Sequence, residues 1–128
     1  MGTYNTQADV ESVAGVNNVA QYADINKTGD AADITAQVTL GSEWAYEEIN
    51  LYARTAGYYL PLQTPAAVTP TSIRWLAAEL CSIWLLEASG PKAVQGQEGH
   101  IYWARRLRCY QTLHRLQNGT IKLDAIIG

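Results

Sequence analysis

Residues 69–91 constrain this chain more than any other stretch. Thr69-Pro70 sets a proline at a first-turn position, where its missing N–H costs nothing, and Gly90-Pro91 stops whatever lies between. Ile73, Leu76, Ala77, Leu80, Ile83, Trp84 and Leu86 recur at helical spacing inside that frame. A helix that is apolar on most sides has to be covered on most sides, so it belongs at the centre of a bundle. Its longest apolar stretch, Trp75 to Leu86, is broken by Glu79 and Ser82. That falls far short of the roughly 20 residues a membrane span requires. The other helices must therefore wrap this one.

The flanking sequence supplies them. Thr6 can cap a short helix, with Asp9 closing a capping box, Val10, Val13 and Ala14 as its apolar side and Gly15 as terminator. Val16 to Asp30, with Asn17-Asn18 and Lys27-Thr28-Gly29-Asp30, reads as turn chemistry. A long helix follows on Ile34, Val38, Ala45, Ile49, Tyr52, Ala53 and Ala56, ending at Gly57. Gly41 inside it marks either a kink or the start of a shorter helix capped by Ser42. The last helix is expected from about Glu98 to Asn118, with Ile101, Trp103, Ala104, Leu107, Tyr110, Leu113 and Leu116 as its apolar side. Gly96 and Gly99 are read as part of a loose connection before it. Thr120 to Gly128 alternates partly, carries β-branched residues and reads as extended. The expectation is an all-α fold: a small four-helix bundle with one long helix over residues 1–119, and an extended C-terminal tail over 120–128.

Composition sharpens this. The 128 residues fit one domain, by the usual length of roughly 100–200 residues. Hydrophobic residues are 48% of the chain, which argues against general disorder. Charged residues are 16%, against about 25% in an ordinary soluble domain, which fits an outside partly covered by partners. The net charge of −3 hides an asymmetry. Residues 1–50 hold eight acids and one base, whereas residues 91–128 hold six bases and two acids. These charges can pair within one chain, or two copies can meet acidic face to basic face, a head-to-tail contact that closes into a ring. Arg105, Arg106 and Arg108 could instead meet nucleic acid, although aromatic interleaving for stacking is slight.

No constellation reads as an active site. Asp24 to Asp30 resembles the first half of a calcium loop, but the twelfth position is Thr35, so the bidentate carboxylate is lost and an Asx-rich turn is the better reading. His100 and His114 lie fourteen positions apart, about 20 Å along one helix, too far to share a metal. Cys81 and Cys109 fall in helical patterns and read as free buried thiols. Glu43, Glu47 and Glu48 have no nucleophile or base beside them, so neither an enzyme nor a cofactor is expected. Met1 to Val10 lacks the basic cluster and apolar core of a signal peptide.

The order of the motifs resembles a known family. It runs from Tyr4-Asn-Thr6-Gln-Ala-Asp9-Val10 with Gly15, through the Asp/Gly-rich turn of 24–30, to Ile49-Asn-Leu-Tyr52 and Gly57-Tyr-Tyr59-Leu60-Pro61-Leu62. An apolar helix follows, and then a last helix with Trp103 that ends at Asn118-Gly119. This is similar to the tailed-phage head–tail adaptor proteins, also called head-completion or connector proteins, including Mu-like members. The resemblance implies a non-enzymatic virion protein, assembled in the host cytoplasm. It would form a homo-oligomeric, commonly dodecameric, ring beneath the portal protein, contact neck or tail proteins, let packaged DNA pass through, and have no membrane role. It further implies that the tail reaches a neighbouring component, commonly the portal. Ile121, Lys122, Leu123, Ile126 and Ile127 are then the portal- or partner-binding candidates, and Glu43, Glu47, Glu48, Arg105, Arg106 and Arg108 those of the ring interface. Rival readings are a stopper or terminator of the same assembly, which tend to be β-rich, and a small DNA-binding protein that uses the basic last helix.

Overall fold

The structure is a computed structural model that describes residues 2–24, 29–65, 68–88 and 96–119, the side chains of 96–101 excepted. It is all-α. Five helices occur among the described residues: α1 Gln7–Ala14, α2 Val16–Ala23, α3 Ala31–Thr55, α4 Thr71–Ala88 and α5 Gly96–Gln117. The expected tail, 120–128, lies outside the described residues.

α1 begins as its sequence requires. The Thr6 hydroxyl accepts the Asp9 N–H at 3.2 Å, and the Asp9 carboxylate accepts the Thr6 N–H at 2.9 Å, closing the capping box. Gly15 then takes a φ of +93°, open to glycine and costly for other residues, and its N–H donates to Glu11 O at 2.8 Å. The chain turns there and starts a second helix. This corrects one expectation: residues 16–23 are helix rather than turn, so a fifth, short helix joins the expected all-α bundle with its one long helix. Val19 and Ala23, four apart, are buried, so residues 16–23 have an apolar face of their own. The side chain of Asn18 returns to Ala14 O at 2.8 Å, and this local bond serves the junction as well as it would serve a turn.

α3 is 25 residues long, about 37 Å, and is capped by the Asp30 side chain on the Ala32 N–H at 2.9 Å. It is continuous through Gly41, so neither a new start at Ser42 nor a break occurs there. Gly41 is instead where α4 comes closest. An added Cβ would lie 2.9 Å from Cys81 Sγ and 2.9 Å from Trp84 Cε3. Val38, Ala45, Ile49 and Ala53 form the buried stripe that the spacing predicts.

α4 is the central helix and touches each of the other four. Its two sides feed two apolar clusters. Ile73, Leu76, Ala77, Leu80 and Ile83 pack with Ala45, Ile49 and Ala53 of α3 and with Cys109, Leu113 and Leu116 of α5. Ala78, Cys81 and Leu85 pack with Val10, Val19, Ala23 and Val38. The N-terminal arm is fastened to the first cluster by Tyr4. Its hydroxyl donates to Asn50 Oδ1 and accepts the Leu62 N–H at 2.8 Å, beside the cis Leu60–Pro61 bond.

α5 starts at Gly96, inside the segment expected to be a loose connection. Its buried face also differs from the expected one. Tyr102, Cys109, Leu113 and Leu116 are buried, whereas Trp103 and Leu107 are 58% and 61% exposed. The helix carries two apolar stripes, and α4 covers only the one built on residues 102, 109, 113 and 116.

Candidate interaction site

The exposed stripe of α5 has a counterpart on α3. Trp103 and Leu107 are one turn apart and so share a face. On α3, Leu40 and Leu51 are 51% and 58% exposed. They stand eleven residues apart, about three turns, so they also share a face, and exposed Glu47 lies between them. Glu43 flanks this acidic stripe and is half-buried. Large apolar side chains aligned on the solvent side of a helix mark a contact surface more often than scattered single ones do.

The charged candidates divide by how they are paired. Arg108 meets Glu79 of α4 at 2.5 Å, and Arg106 lies 3.7 Å from Glu87 of α4 while covering the Tyr110 ring at 4.8 Å. Glu48 accepts the Tyr110 hydroxyl at 3.2 Å. Three of the six proposed interface residues thus already have partners between helices of this chain. The other three, Glu43, Glu47 and Arg105, make no such pair among the described residues. Glu47 is exposed, and Arg105 is half-buried with no ion pair among the described residues. Internal pairing therefore accounts for Arg106, Arg108 and Glu48, and it leaves Glu43, Glu47 and Arg105 without an ion pair among the described residues.

Arg105 forms part of the wall of a cleft of about 260 Å³ between the α1–α2 corner, α4 and α5. Ala14, Ile83 and Leu86 give this cleft an apolar lining, and Asn18, Ser82 and Tyr102 line its polar part. Most of the polar groups are already engaged. The Tyr102 hydroxyl donates to Glu87 Oε1, the Ser82 hydroxyl to Glu79 O at 2.7 Å, and the Asn18 amide to Ala14 O at 2.8 Å. Burial foremost, then the Glu87 carboxylate, pushes the Tyr102 phenol up to about 12, so it stays a neutral donor. The guanidinium of Arg105 remains the uncommitted charge of the cleft. Its volume lies below the roughly 300–1,000 Å³ of ordinary cofactor pockets.

Cys81 and Cys109 are free and buried, as expected. Burial raises the Cys81 thiol to about 11, and burial with the adjacent Glu79 carboxylate raises Cys109 to about 12, so neither is an activated nucleophile. His114 stands edge-on to Tyr52 with ring centres 5.3 Å apart, and the His100 side chain lies outside the described residues. In the Asp24–Asp30 turn, Asp24 Oδ2 accepts the Gly29 N–H at 2.9 Å, and residues 25–28 lie outside the described set. Among the described residues, no group of three or more His, Cys, Asp or Glu side chains is placed to hold a metal. No described helix is long and apolar enough to cross a membrane. Ile121, Lys122, Leu123, Ile126 and Ile127 lie outside the described residues.

Sequence reasoning missed the α3 stripe and the cleft. Leu40 and Leu51 fall off the spacing of the core residues, and that displacement is the available signal. The cleft has none, because it joins residues from 14 to 105. No protein-family model, no curated protein and no solved structure matches this chain.

Proposed function

We propose that this protein is a structural subunit of a tailed phage or phage-like particle: a head–tail adaptor that assembles into a ring beneath the portal and joins the capsid to the neck or tail. It acts by contact and carries out no reaction. The observation that carries the reading is the pair of solvent-facing apolar stripes, Leu40 with Leu51 on α3 and Trp103 with Leu107 on α5. Glu43 and Glu47 make the first acidic, and the second rises from the most basic helix of the chain. Two unlike, complementary surfaces on one subunit support a heterologous contact, the kind that closes into rings. The all-helical fold favours an adaptor over stopper and terminator proteins, which tend to be β-rich. Glu87 and Glu79 engage Arg106 and Arg108, which takes two of three clustered charges away from the nucleic-acid reading.

Mass measurement of the free protein across concentration, followed by imaging of particles that contain it, tests the reading. Closed oligomers, or a ring at the capsid vertex, are expected. A protein that stays monomeric and is absent from the vertex would overturn it.

A further inference from the structure

The cleft beside Arg105 poses a specific question of chemistry. α5 presents three arginines in close succession. Two find carboxylates on α4, at Glu79 and Glu87. The third, Arg105, faces the part of α4 that offers Ser82, Ile83 and Leu86, and none of these can neutralise it. A half-buried guanidinium without a counter-charge is costly, and a carboxylate is the group its planar fork fits best. The surrounding wall is aliphatic. The occupant should therefore bring one carboxylate close to one aliphatic side chain, on a segment slim enough for about 260 Å³.

This chain contains such a segment outside its described helices. In Leu123-Asp124-Ala125-Ile126, Asp124 and Ile126 are two positions apart, the spacing that an extended chain bound in a cleft would place on one side at about 7 Å. We infer that the cleft between α2, α4 and α5 receives the Asp124 and Ile126 side chains from the tail of a second copy of this chain, with Asp124 on Arg105 and Ile126 against Ile83 and Leu86. That occupant differs from the portal contact implied by the family resemblance. The inference rests on the ring reading only for the cyclic order of the copies: each subunit gives its tail to the next and takes one from the copy before.

Disulfide trapping in the full chain tests it. Leu86→Cys chains are mixed with Ile126→Cys chains under oxidation, which leaves Arg105 and Asp124 intact. A cross-linked dimer of one chain of each kind is expected. Adding Arg105→Gln should lower its yield roughly tenfold, and Arg105→Asp combined with Asp124→Arg should restore it. Absence of the dimer overturns the inference. So does a link that forms only within a chain carrying both cysteines, since the tail then occupies its own cleft. Rings that assemble without the cross-link would remove the tail contact and leave the adaptor reading in place. A cross-linked pair that never builds a ring would do the reverse.

Discussion

Gly41 of α3 and Cys81 of α4 meet so closely that a β-carbon on the glycine would sit 2.9 Å from the sulfur. That contact explains a glycine inside a 25-residue helix, where it gives up about 1 kcal/mol of helix propensity relative to alanine. The loss is offset by the close packing of α3 on α4 that the missing side chain permits. Gly41→Ala should therefore destabilise the protein by about 1–2 kcal/mol net, since overpacking outweighs the propensity gain. Chemical denaturation measures this, and a stabilised variant would show that the approach is looser than described.

Tyr4 ties the N-terminal arm to residues 46 and 58 positions away in the sequence. Tyr4→Phe keeps the ring and its packing against Tyr46 at 4.7 Å, but it strands the Asn50 amide oxygen and the Leu62 N–H. The expected loss is about 1–3 kcal/mol, seen as a lower denaturant midpoint with an unchanged slope.

Alkaline pH should erode the fold in a defined window. Burial raises Tyr4 from 10.0 to about 12 and Cys81 from 9.0 to about 11, and burial with Glu79 takes Cys109 from 9.0 to about 12. Each group keeps its proton in the folded protein at a pH where the unfolded chain has released it. Their contribution is therefore complete below pH 9 and is lost as pH climbs from 9 to 12. Urea midpoints at pH 7, 9 and 11 should fall slightly over the first interval, where the unfolded thiols begin to ionise, and steeply over the last, and a level profile through pH 11 would contradict the buried, protonated state.

Trp103→Ser and Leu107→Ser should separate folding from assembly. Both side chains are more than half exposed, so each change should move monomer stability by no more than about 0.5 kcal/mol. Self-association measured by sedimentation should weaken markedly. Equal association of the parent and the double variant would clear this stripe of any role in contact between copies.

Much of the bundle was legible because apolar spacing states which helix faces touch. Val38, Ala45, Ile49 and Ala53 lie buried where the period puts them, and the Thr6–Asp9 cap forms as its spacing requires. α2 was not legible, because Asn17-Asn18 serve a helix junction as readily as a turn. On α5, two apolar stripes compete, and periodicity cannot say that α4 would cover Tyr102 and Cys109 and leave Trp103 and Leu107 in solvent. Ion pairs were the least legible feature. Charge counts give the sign of each region, but the pairing of Arg108 with Glu79 depends on how α4 and α5 lie side by side.

The placement of α1 against α4 also sets a timetable for synthesis. The 56 residues between Ala14 and Thr71 must leave the ribosome before α1 meets the helix that buries Val10. Until then α1 and α2, eight residues each, have only the Val38 end of α3 to pack against and are too short to hold helical shape alone. The α3–α4 hairpin is the earliest assembly with a core of its own, so the first part of the chain to be made is among the last to become native.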